Sequence, residues 1–140
     1  MFFNEDDYTF NKEEVMRLSP LILAFIGDSI YDLFIRRNIA VKGNRPLYKI
    51  HKECVKYVKA EAQAESLKRI SKYLTDDEKD IVRRGRNVKS ATIPKHADIE
   101  DYHLATAFEA LLGYLYLLGK IDRLKEILEL TIESNNEKGE

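Results

Sequence analysis

The chain has 140 residues, 44% of them hydrophobic and 34% charged, with a formal net charge of −1 and a single cysteine, Cys54. That length supports one domain with a real core, and the lone cysteine excludes a disulfide framework or a thiolate metal cage. No apolar run reaches membrane-spanning length, and the opening MFFNEDDYTF lacks the basic region of a signal peptide, so a cytoplasmic protein is expected. The small net charge hides an uneven distribution. Arg36 to Lys95 holds 17 Lys or Arg against 7 Asp or Glu, a balance of +10, whereas the rest of the chain stands at −11. A basic middle in a neutral chain offers either a phosphate-binding face or plain solvated helix surface.

Apolar residues recur with the 3.6-residue period throughout and nowhere alternate as in a strand. Ser19-Pro20 starts the first firm helix, which runs through LILAFIGDSIYDLFIRRNIA to the break at KGNRP. A second helical region spans Pro46 to about Tyr73, kinked or divided near Lys59. Thr75-Asp76-Asp77-Glu78 has the form of a capping box and opens a short helix ending near Gly85. Residues 86–97, RNVKSATIPKHA, carry no apolar period and read as a basic loop with Gly85 as a flexible joint. Asp98 caps a long helix closed by Gly119, and a last amphipathic helix covers about 121–134 before a frayed tail at 135–140. The expectation is a single all-α domain over residues 1–140 with its core at about 18–134.

Two of these helices carry a misplaced charge. Asp28 and Asp32 sit one turn apart in LAFIGDSIYDLF, and Glu109 is the only charge between Asp101 and Lys120. A carboxylate in an apolar setting costs several kcal/mol unless it is paired, protonated or bound to a cation. Asp32 has Arg36 four residues on, in the favourable acid-to-base order, and reads as structural. Asp28 has no such neighbour. If the two most apolar helices pack together, Asp28 and Glu109 meet, and two carboxylates with waters and phosphate oxygens suffice for a hard divalent cation. The bland reading keeps Asp28 on a core arginine and Glu109 on the hydroxyl of Tyr31 or Thr106.

IGDSI resembles the signature helix of the ribonuclease III catalytic domain, and FEALLGYLYL its second acidic helix. The phrase LAFIGDSIYDLFIRR, the run RRGRNVKSATIPKHAD and the form TAFEALLGYLYL are similar to the Mini-III branch of that family, over residues 18–120. The resemblance implies an all-helical homodimer that cleaves double-stranded RNA with Mg²⁺, leaving 5′-phosphate and 3′-hydroxyl ends. Asp28 and Glu109 would be its catalytic, metal-binding residues. Ala24 and Thr106 stand where other members have two further acids, replacements the Mini-III branch shares. Phe25, Ile26 and Ser29 would lie at the dimer contact, although core packing explains the first two equally well. A ribosomal RNA precursor of the large subunit is the implied substrate.

Only about 20 residues follow Gly119, too few for an appended RNA-binding domain, so the catalytic domain would hold the duplex itself. A-form RNA is recognised mainly through phosphates and 2′-hydroxyls. Arg83, Arg84, Arg86, Asn87, Lys89 and Lys95 are the candidates, with a bland surface loop as the alternative. The row Lys49, Lys52, Lys56 and Lys59 reads as solvated surface, His51 and His103 as non-catalytic, and Cys54 as a small buried residue. Two other functions fit the pattern: a non-catalytic double-stranded-RNA-binding protein of the ribosome or its assembly, and a helical scaffold whose acids are structural.

Overall fold

The computed structural model describes residues 10–89 and 93–139, with side chains up to Ile132 and backbone alone from there to residue 139. Among the described residues there are seven α-helices and no strand. The first, α1 (Lys12–Arg17), lies outside the expected core. Its signal is short but legible: Asn11 Oδ1 accepts from Glu14 N at 2.8 Å while Glu14 Oε1 accepts from Asn11 N at 3.1 Å, a reciprocal cap. Val15 on this turn is fully buried, so the core begins before residue 18.

Helix α2 (Pro20–Ala40) starts at the expected cap, where Ser19 Oγ accepts from Leu21 N at 3.2 Å. The second helical region is divided where expected, into α3 (Leu47–Val58) and α4 (Ala60–Ile70), because Lys59 has extended backbone. A 3₁₀ turn at Ser71–Tyr73 follows. Helix α5 (Asp76–Asn87) carries the Thr75–Glu78 capping box but runs past Gly85. Gly85 is buried rather than a flexible joint: a Cβ there would lie 2.8 Å from Ala107 Cα on α6. Helix α6 (Ile99–Leu117) is capped by Asp98 and closed by Gly119, whose φ of 73° suits glycine. Helix α7 (Ile121–Gly139) continues through most of the segment expected to fray.

The central helix is α6, with α2, α4, α5 and α7 packed around it. Two glycines set its crossing with α2. A Cβ on Gly27 would lie 1.7 Å from the Glu109 carbonyl oxygen, and one on Gly113 would lie 2.0 Å from that of Leu23. Each helix thus presses bare backbone against the other, and this brings position 28 beside position 109. An ion pair between buried Glu78 and half-buried Arg123 ties α5 to α7: Glu78 accepts from Arg123 Nε and Nη2 at 2.9 and 2.8 Å.

Candidate functional site

Every residue from Leu104 to Leu115 on α6 is buried except Glu109, which is half-buried. Its side chain emerges beside Asp28, and the two carboxyls are hydrogen-bonded to each other. Such a bond needs a proton, and the protein supplies the reason to keep one. Burial, then the bond and charge of Asp28, push the Glu109 acid up to about 9, so near neutral pH Glu109 keeps the proton and donates it to Asp28. Asp28 itself is exposed, contrary to the expectation of a carboxylate enclosed in an apolar helix. The apolar face of α2 around it is open as well: Phe25 is 74% exposed, Ile22 48% and Leu33 55%. Core packing therefore does not account for Phe25 within one chain, whereas Ile26 is half-buried and Ser29 exposed.

Of the bland partners for Glu109, the Thr106 hydroxyl is engaged elsewhere. Thr106 Oγ1 donates to the Tyr102 carbonyl at 2.9 Å, and Tyr31 packs edge-on against Phe108 at 5.0 Å. Asp32 pairs with Arg36 Nε at 3.1 Å, as its spacing predicts.

Sequence reasoning missed Gln63. This α4 residue is 3% exposed, and its amide bonds the Glu109 carboxyl. Its Nε2 also donates to the Val58 carbonyl at 2.8 Å, one of the carbonyls left open where α3 ends. A glutamine four residues past a suspected helix break was the available signal.

Among the described residues no group of three or more His, Cys, Asp or Glu side chains is placed to hold a metal ion. The donor set is two carboxylates with an amide alongside. All offer hard oxygen donors, and the two carboxyls meet closely enough to hydrogen-bond each other. That fits a divalent cation of the Mg²⁺ type, which keeps several waters and needs only one or two carboxylates.

The basic candidates divide. Arg84 turns inward, its Nη2 donating to the Met16 carbonyl at 3.3 Å, and so ties α1 to α5. Arg83 pairs with Asp80. Arg86, Asn87 and Lys89 line an open cleft of about 840 Å³ with Val88, Ile93, Ile99, Glu100 and His103. Arg86 lies 3.8 Å from Glu100, and Lys95 is exposed nearby in sequence. Ser90–Thr92 of the same basic segment lie outside the described residues. Lys49, Lys52, Lys56 and Lys59 are all exposed, and Cys54 is buried.

An all-helical domain built on a glycine-mediated crossing, with one acid from each crossing helix, defines the class. Residues 21–120 match the family model described as Ribonuclease III domain. Mini-ribonuclease 3 of Thermoanaerobacter sp. (strain X514) is 58% identical over 95% of this chain and 94% of its own length. That of Clostridium tetani is 44% identical over 94% and 90%. A crystal structure of a Fusobacterium nucleatum protein superposes with a TM-score of 0.77 at 32% identity, covering 87% of this chain and 98% of that one. The chain belongs to the ribonuclease III family, in its Mini-ribonuclease 3 branch. Among the described residues no helix is long and apolar enough to cross a membrane.

Proposed function

We propose that the protein is a homodimeric, Mg²⁺-dependent endoribonuclease that cleaves double-stranded RNA, with ribosomal RNA precursors of the large subunit as its substrate. The observation that carries this reading is the proton-sharing pair of Asp28 and Glu109, one acid from each helix of the central crossing. Both carboxylates would hold the cation, which supplies an activated water for attack on the phosphodiester. Glu109 would give up its proton to serve as a ligand, so the half-buried acid would hold either a proton or the metal. Hydrolysis would leave a 5′-phosphate and a 3′-hydroxyl.

Arg86, Asn87 and Lys89 at the cleft, with Arg83 and Lys95 beside them in sequence, would grip the duplex backbone. Arg84 would support them from α5. The stripe Ile22, Phe25, Ser29 and Leu33 repeats at helical spacing on the exposed face of α2 and supports the dimer contact, with Ile26 at its edge.

The test is cleavage of a labelled RNA duplex with Mg²⁺ by the wild type, Asp28→Asn and Glu109→Gln, with EDTA and single-stranded RNA as controls. Cutting that requires Mg²⁺ and disappears in both folded variants is the expected result. Duplex binding without cutting by the wild type would refute the enzyme and leave a non-catalytic RNA-binding protein.

A further inference from the structure

Gln63 is hard to explain as packing. Its carboxamide has two N–H donors and one carbonyl acceptor. One donor serves the Val58 carbonyl and the amide also bonds Glu109, yet Oε1 is buried without a hydrogen-bond partner. The donors fix which way the amide faces, because Val58 O and the Glu109 carboxyl oxygen both accept, and only the N–H side can serve them. A buried carbonyl oxygen left without a donor is costly, and such groups in native proteins call for a reason. Here the reason lies next door. The orphan acceptor belongs to the same planar group that bonds Glu109, where a hydrated cation would bring water molecules with O–H donors.

Resting on the metal-site reading above, we propose that Gln63 is a positioning residue of the acidic site: it holds the Glu109 carboxylate through its N–H and offers Oε1 to a water of the bound cation. The α3–α4 break is then part of the site, since it frees the Val58 carbonyl that anchors the amide. Partners of this kind, one step removed from the ion, typically change metal affinity about 10- to 100-fold when lost.

The experiment compares wild type with Gln63→Met, which keeps the shape without the hydrogen bonds, and Gln63→Asn, which withdraws the amide by one methylene. Leu67→Ala, one turn along α4 and 2% exposed, is the control for general loosening. Mn²⁺ binding to the free protein is read by electron paramagnetic resonance, and the Mg²⁺ concentration for half-maximal duplex cleavage is read separately. Both Gln63 variants are expected to bind Mn²⁺ about tenfold more weakly and to need about tenfold more Mg²⁺, while Leu67→Ala unfolds more easily with both values unchanged. Wild-type metal affinity in either Gln63 variant would overturn the proposal, as would an equal loss in Leu67→Ala. A wild type that neither binds Mn²⁺ nor cuts would instead refute the underlying metal-site reading.

Discussion

Replacing Glu109 by glutamine should make the metal-free protein more stable, and increasingly so as pH rises. The wild-type acid holds its proton up to about 9 when folded and releases it near 4.5 when unfolded. Between those values the native state binds one more proton than the unfolded state, so stability falls as pH increases, by about 1.4 kcal/mol per unit at most. From about pH 5.5 to about pH 8 that limit is about 3 kcal/mol. Solvent reaching the pair from the exposed Asp28 side lowers the working figure to about 2 kcal/mol. Glutamine stays neutral throughout, can still donate to Asp28, and removes the slope. Urea unfolding in EDTA at fixed protein concentration gives the comparison. The two proteins should nearly coincide at about pH 5 and diverge in favour of Glu109→Gln by about pH 8. Parallel curves, or a variant less stable at the higher pH, would refute the reasoning and favour a structural role for the acid.

Gly27→Ala should cost about 3 kcal/mol or more, because the new methyl would meet backbone rather than a side chain able to move; thermal unfolding measures it, and a neutral result would contradict the close crossing. Truncating Arg123 to alanine leaves the buried Glu78 carboxylate without its cation and with only the Thr75 N–H, which should cost about 3 kcal/mol by urea unfolding. Arg86→Ala with Lys89→Ala should weaken duplex binding and lower the steepness of its salt dependence by about 1 to 2 in log–log slope. Unchanged salt dependence would remove the cleft from the RNA interface. Phe25→Asp should shift sedimentation to the monomer while leaving the fold intact, since that ring packs little within its own chain.

Most of the helical order was legible because its signals are local. Ser19-Pro20, the Thr75–Glu78 box, Asp98 and Gly119 act within one turn of themselves, and each stands at the boundary it announces. The two lone acids were equally visible, since a charge in an apolar period stands out without any structure. Other features depend on what lies opposite in space. Gly85 reads from its neighbours as a flexible glycine at a helix end and becomes a contact only because Ala107 faces it. Arg84 looks like its basic neighbours until Met16 is found beside it. The helix break before Gln63 was visible in the sequence, but its role also needs Glu109 on the other side, which only packing brings there. Sequence alone determined most of the helices from α2 onward and named the two acids, because capping and periodicity are short-range. The tertiary structure decided that the acids share a proton and that an amide stands beside them, because burial and close approach exist only once the helices have packed.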